Sequence, residues 1–245
     1  MAIESNTNRW RTLRQIGSSD DGGNALMKKK PVFGLVPGAS HGAWSWQRVI
    51  GAMDCMGYRA VAMDLPIEDE GSGVLQYSEA VRDALAGIDD ELVLVGHSLG
   101  GITIPVVANT RPVRKLVFVA GVMPIPSMSL MQQRAAEPDM IFPPTKDTRD
   151  RYYNRADEAD ARWALAQLRP QSQLPYDEVT PLTTWPNIDI VSIVPTDDHT
   201  VNPTWARRAA RERFGIEARE MRGADHSPFL SRPADLARLI VELSL

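Results

Sequence analysis

Ser98 sits in Gly96-His97-Ser98-Leu99-Gly100, directly after the apolar run Leu92-Val93-Leu94-Val95. A short β-type run followed by Gly-x-Ser-x-Gly reads as a strand, a sharp turn and a helix that lift a serine hydroxyl clear of the backbone. Such a turn tolerates little bulk two residues to either side of the serine, which gives Gly96 and Gly100 a steric reason. A free serine hydroxyl is a weak nucleophile at neutral pH. It needs a base, and the base needs an orienting acid. The motif therefore predicts an Asp or Glu and then a His, in that order, each just past a strand.

Both are present. The strand-like stretch 189–194 leads into Pro195-Thr196-Asp197-Asp198-His199, and the stretch 217–221 leads into Arg222-Gly223-Ala224-Asp225-His226-Ser227-Pro228. His226 is the expected general base toward Ser98 and the later acid toward a leaving group. Asp197 and Asp198 both qualify as the acid, with Asp198 preferred. Acyl transfer also needs two backbone N–H donors for the oxyanion. Leu99, after the nucleophile, is one; Ala39, in the small-residue loop Pro37-Gly38-Ala39-Ser40-His41-Gly42-Ala43-Trp44, is the other.

The chain has four histidines, so each has a reading. His97 is a packing or hydrogen-bonding neighbour of its adjacent serine, His199 faces solvent, and His41 either lines the site or is structural. No histidine pair has metal-ligand spacing and the lone cysteine adds no ligand cluster, so no metal and no cofactor is expected.

The elements that must position these groups alternate. Strand patterns at 31–36, 59–63, 92–95, 115–120, 189–194 and 217–221 interleave with helical patterns at 44–56, 77–88, 99–110, 204–214 and 233–243. This is an α/β chain with a mostly parallel twisted sheet covered by helices on both faces. Residues 121–188 break the rhythm with many prolines and one helical stretch at 157–168. They read as a cap insertion over the carboxyl edge of the sheet, where open α/β sheets bind ligands. From that cap Met123, Met128, Met131, Met140, Trp163 and Trp185 are candidates to line an apolar pocket, with about half expected to be packing only.

Residues 1–30 are polar and without a core pattern, and read as a disordered N-terminal extension to a domain spanning 31–245. Met27, just before Lys28-Lys29-Lys30, is a candidate natural start. The 245 residues, 43% hydrophobic and 24% charged, suit one soluble domain with a sizeable core. A net charge of −4 gives no basic field for nucleic acid, and no apolar run approaches the ~18 residues of a membrane span. The single cysteine, Cys55, excludes an internal disulfide, fits a reducing cytoplasm, and reads as a small apolar helix residue.

Residues 33–46, Gly96–Gly101 and 223–233 together resemble the α/β-hydrolase superfamily, and most closely its branch of plant methylesterases, hydroxynitrile lyases and bacterial carboxylesterase relatives. The resemblance covers roughly residues 31–245 and implies the α/β-hydrolase fold with a helical cap. It places the acid at Asp198. Hydroxynitrile lyases of this branch carry Thr where Gly38 stands and Lys where Ser227 stands, so cyanohydrin cleavage is disfavoured. Pro37 stands where the family often has His. The expected function is hydrolysis of a small or medium carboxylic ester through an acyl-enzyme on Ser98, its partner a small-molecule ester, with a homodimer left open. The rival readings are a lactonase, C–C hydrolase, lyase or cyclase on the same triad, and a non-catalytic ligand-binding receptor.

Overall fold

A strand covered on both faces must be apolar at nearly every position, and its alternate side chains then feed two separate cores. The computed structural model, which describes residues 29–143 and 147–245, shows this partition. Residues 1–28, which hold the Met27 start and all but the last two residues of the expected disordered extension, lie outside the described residues.

The first half of the chain runs β1 (Val32–Val36), a 3-10 turn (Ala43–Trp46), α1 (Gln47–Cys55), β2 (Ala60–Ala62), α2 (Val74–Ala84), β3 (Leu92–His97), a second 3-10 turn (Ser98–Ile102), α3 (Ile104–Ala108) and β4 (Lys115–Val119). Four helices follow: α4 (Leu130–Ala136), α5 (Thr148–Tyr153), α6 (Glu158–Gln167) and α7 (Leu174–Asp177). The chain closes with β5 (Asp189–Pro195), α8 (Pro203–Phe214), β6 (Arg219–Met221), α9 (Pro228–Ser231) and α10 (Pro233–Ser244).

The six strands form one sheet in the order β2-β1-β3-β4-β5-β6, every pair parallel. Phe33, Leu35, Val93, Val95, Val117 and Val119 point to the face covered by α1 and α10, where they meet Trp46, Met53, Leu236 and Ile240. Val32, Leu92, Leu94, Leu116 and Phe118 point to the other face, against Val81, Val107, Ala206 and Ala210 of α2, α3 and α8.

The strand order reverses between β1 and β3. Val36 pairs with Gly96, so the loop leaving β1 and the turn leaving β3 emerge side by side. That crevice is where open α/β sheets bind ligands.

Three helices differ from their sequence patterns. The stretch expected as one helix over 99–110 is a 3-10 turn and a short α3, because Pro105 has no N–H to continue an α-helical ladder through the turn. The stretch 44–56 likewise begins as a 3-10 turn before α1. α2 starts at Val74, ahead of the expected 77, because the Glu178 carboxylate accepts from Val74 N and Gln76 Oε1 accepts from Gly73 N at 3.0 Å. Cys55 ends α1 but is exposed, so it packs in no core.

The insertion is anchored to the body by a half-buried polar knot. Glu137 takes Arg213 Nη2 at 2.7 and 2.6 Å and Trp205 Nε1 at 3.0 Å, while Gln133 Nε2 donates to Glu137 Oε2 at 3.1 Å and to the Met123 carbonyl at 3.0 Å. On the opposite side, Arg48 of α1 grips Asp160 of α6 with two 2.6 Å bonds.

Glycine is required where backbone meets backbone. A Cβ on Gly101 would overlap the Val122 carbonyl oxygen, whereas one on Gly51, in the middle of α1, would meet nothing within 4 Å. Gly101→Ala is therefore expected to lower unfolding free energy by about 1–3 kcal/mol. Gly51→Ala should raise it by roughly 0.5–1 kcal/mol. Urea denaturation of the two variants beside the parent chain checks both signs.

Candidate active site

The position of Ser98 is built by close packing. Ser98 has φ 48°, in the left-handed region. For a residue with a Cβ this conformation costs roughly 1–2 kcal/mol. The turn can be that tight because its neighbours have no side chains. A Cβ on Gly96 would stand 2.9 Å from Gly100 O, and one on Gly100 would stand 2.6 Å from Pro37 O. Val122 N donates to Ser98 O at 3.0 Å, which ties the turn to the segment after β4. Ser98 keeps 8% of its surface accessible.

His226 reaches Ser98 from the loop after β6. Its Nε2 lies 3.0 Å from Ser98 Oγ, and its Nδ1 lies 3.0 and 2.9 Å from the two carboxylate oxygens of Asp198. Carboxylate oxygens only accept, so Nδ1 carries the hydrogen and Nε2 is left to accept from the serine hydroxyl. Asp198 is held by its own loop, with Oδ1 accepting from Thr200 N at 2.6 Å and Val201 N at 2.9 Å. Asp197 turns the other way and pairs with Arg155 near the surface. The structure thus joins Ser98, His226 and Asp198, and leaves Asp197 outside the line.

The remaining histidines have other tasks. His97 Nε2 donates to the His226 carbonyl at 2.9 Å, and His97 Nδ1 is buried without a partner. Burial holds its pKa well below the usual histidine range, and the nearby imidazoles of His226 and His41 push the same way. His41 Nδ1 donates to the Ala39 carbonyl at 2.7 Å, and its Nε2 accepts from Tyr153 Oη at 2.8 Å. Burial lowers His41 to about 4, partly opposed by the bond to Ala39. His41 therefore braces the Ala39 loop from behind and does not face the cavity. His199 lies half-exposed, 3.2 Å from Asp150.

Ala39 and Leu99 border one small cavity, of about 70 Å³, together with Ser98 and His226. The Ala39 loop presses directly on the serine turn: a Cβ on Gly38 would stand 2.8 Å from Ser98 Cβ and 2.7 Å from His97 Nδ1. From the insertion side Arg169 N donates to Ser40 O at 2.9 Å, and Gln171 Oε1 accepts from Ser40 N at 3.2 Å.

The expected pocket residues are corrected by helix phase. Leu130 and Arg134, four apart on α4, share the face that borders the cavity, while Met131 lies one step round and is 43% exposed. Met123 and Met140 are fully buried in the core, and Met128 borders a separate small cavity with Val74 and Ile102. Trp163, 41% exposed, stands edge-on to Trp44 in an outer cleft, and Trp185 packs on Phe118 and Phe214. The wall facing Ser98 is instead made by Val122, Leu130, Ile141, Tyr152 and Tyr176, with Arg134 and Arg151. The i, i+4 pair on α4 was the available signal for two of these.

Asp225, adjacent to His226, was also missed. It is fully buried, which raises its pKa, and it accepts from Ser231 Oγ at 2.7 Å and from Arg155 N at 3.1 Å. It pins the loop that carries His226. Among the described residues no group of three or more His, Cys, Asp or Glu side chains is arranged to hold a metal ion, and no helix is long and apolar enough to cross a membrane.

His41 gives a pH prediction. Its folded pKa of about 4 lies below the 6.5 of an ordinary histidine in the unfolded chain, so between these values the unfolded state binds more protons. The stability it contributes is complete above pH 6.5 and is lost as pH falls toward about 4, on the order of 3 kcal/mol in all. Urea midpoints measured from pH 7 to 4.5 should fall, and should fall less steeply in His41→Gln.

The model of the alpha/beta hydrolase family matches residues 35–239. The probable esterase PIR7A of Oryza sativa subsp. indica is 29% identical over 252 residues, spanning 86% of this chain and 96% of the rice protein. Methyl jasmonate esterase 1 of Vitis vinifera is 25% identical, over 89% of this chain and 98% of its own. The crystal structure of polyneuridine aldehyde esterase superposes with a TM-score of 0.75 at 20% identity, covering 89% of this chain and all 100% of that one. With a family match over most of its length and a shared fold, this chain belongs to the alpha/beta hydrolase family.

Proposed function

We propose that this chain is a serine esterase that hydrolyses a small carboxylic ester through an acyl-enzyme on Ser98. The observation that carries the reading is the unbroken hydrogen-bonded line from Asp198 through His226 to Ser98 Oγ. The esterase names of the rice and grape relatives support the same class of reaction.

His226 Nε2 takes the Ser98 proton as Oγ attacks the ester carbonyl carbon. The N–H groups of Ala39 and Leu99 receive the negative oxygen that develops. As the tetrahedral adduct collapses, the C–O bond to the alcohol breaks and His226 delivers its proton to that oxygen. A water molecule, deprotonated by His226, then attacks the acyl carbon. The acid leaves and the proton returns to Ser98. Asp198 keeps the Nδ1 hydrogen in place throughout and balances the transient imidazolium.

The cyanohydrin-lyase reading needs Thr at position 38, and the lack of room for a Cβ on Gly38 speaks against it. A purely ligand-binding role leaves the aligned Ser98 and His226 unexplained. The single cysteine of the chain fits work in a reducing cytoplasm, which fractionation of the source cells tests.

Hydrolysis of p-nitrophenyl esters of increasing acyl length is the direct test, beside labelling with a fluorophosphonate. Ser98→Ala should lose the label and lower kcat on the order of 10⁴-fold or more. Asp198→Asn should keep the fold and lower kcat by roughly 10³–10⁴-fold, through loss of the required imidazole tautomer. Full turnover in either variant overturns the mechanism.

A further inference from the structure

We infer that the ester this site takes carries a second, anionic group, a carboxylate, which Arg134 and Arg151 bind inside the Ser98 cavity. The inference rests on the esterase reading and names its substrate class: a monoester of a dicarboxylic acid or an ester of comparable charge.

Both arginines border the same cavity as Ser98 and His226, and no Asp or Glu borders it with them. Many arginines elsewhere find carboxylates, as Arg48 does with Asp160, Arg208 with Asp139 and Arg213 with Glu137. Among the described residues Arg134 and Arg151 form no ion pair. Two half-buried cations on one concavity repel each other, and an anion that enters between them offsets that repulsion.

The two charges converge. Both act on the hydroxyl of Tyr176, favouring its ionised form against the effect of burial. Arg151 also lies over the Tyr152 ring, its Cζ 5.2 Å from the centroid, and that ring stacks on His226 with centroids 5.7 Å apart. One aromatic ring therefore contacts both the Arg151 cation and the base. An anion held by Arg151 stays close to the reacting carbonyl without displacing the serine–histidine bond.

Neither arginine hangs from a loose segment. Arg134 stands on α4, whose start is fixed by the reciprocal Ser129 and Gln132 bonds of 2.8 and 3.1 Å. The Arg151 carbonyl accepts from Thr200 Oγ1 at 2.8 Å, one residue from the main-chain N–H of Val201 that holds Asp198. Guanidinium forks match the planar geometry of a carboxylate, which lysines do not. The apolar share of the wall, Leu130, Ile141 and Val201, suits the short methylene spacer between the two carbonyl groups.

The test compares p-nitrophenyl hydrogen glutarate, anionic, with p-nitrophenyl pentanoate, neutral and of equal chain length. The parent protein should favour the anionic ester at least tenfold in kcat/KM, chiefly through KM, and the preference should shrink in 0.5 M NaCl. Arg134→Gln and Arg151→Gln should each lower the anionic-to-neutral ratio about tenfold, and the Lys variants, which keep the charge, should retain part of it. Glutarate should inhibit competitively, and less so in the Gln variants. A ratio at or below one, or a ratio unmoved in both Gln variants, overturns the proposal. So does competition by inorganic phosphate without competition by glutarate, which would assign the arginines to a phosphate group. If neither ester turns over and Ser98 is not labelled by a fluorophosphonate, the esterase reading falls and takes this one with it. Labelled Ser98 with turnover of the neutral ester alone removes only the anion site.

Discussion

Three carbonyl oxygens, those of Pro37, Gly100 and Val122, determine where Ser98 stands. Each presses on a glycine at the end of β3 or in the turn after it, at Gly100, Gly96 and Gly101 respectively, with no room for a side chain. The turn is thereby wedged between the loop leaving β1 and the segment leaving β4. The strained φ of Ser98 is sustained by that wedge rather than by any preference of its own. Adjacent strands in register put Ala39 and Leu99 on the same cavity as the hydroxyl. Asp198 and His226 come from the loops after β5 and β6, farther along the sheet, and need separate anchors. Two main-chain N–H groups hold Asp198, Asp225 holds the His226 loop, and His97 bonds the carbonyl of His226 itself.

The three imidazoles near Ser98 differ in whether a carboxylate faces them. His41, His97 and His226 lie ring against ring, with centroids 5.7 Å apart for the first pair and 4.8 Å for the second. Only His226 faces an Asp. The other two are buried among apolar side chains, and each has a backbone carbonyl for its N–H, so each is neutral.

What could be read in the sequence divides along the same physical line. The serine turn, the two strand-end loops and the parallel sheet were legible because each depends on local rules: small residues at a tight turn, apolar runs for strands covered twice, and a fixed order of groups. The walls of the cavity were not. Met131 and Arg134 differ only in the phase of α4, and that phase is set by tertiary contacts such as the Glu137 knot with Arg213 and Trp205. The start of α2 depends on Glu178, 104 residues away from Val74. His41 has the sequence neighbours of a site residue, and only the Tyr153 hydroxyl behind it shows that it braces a loop.

The loop that carries Ala39 is fastened mainly by the segment that closes over it. Tyr153 holds it through His41, Arg169 through the Ser40 carbonyl and Gln171 through the Ser40 N–H, and all three belong to the stretch between β4 and β5. The stretch between β4 and β5 is thus more than a wall of the cavity: it sets the backbone position of Ala39, so a substitution far from Ser98 in sequence and out of contact with it can still displace that loop.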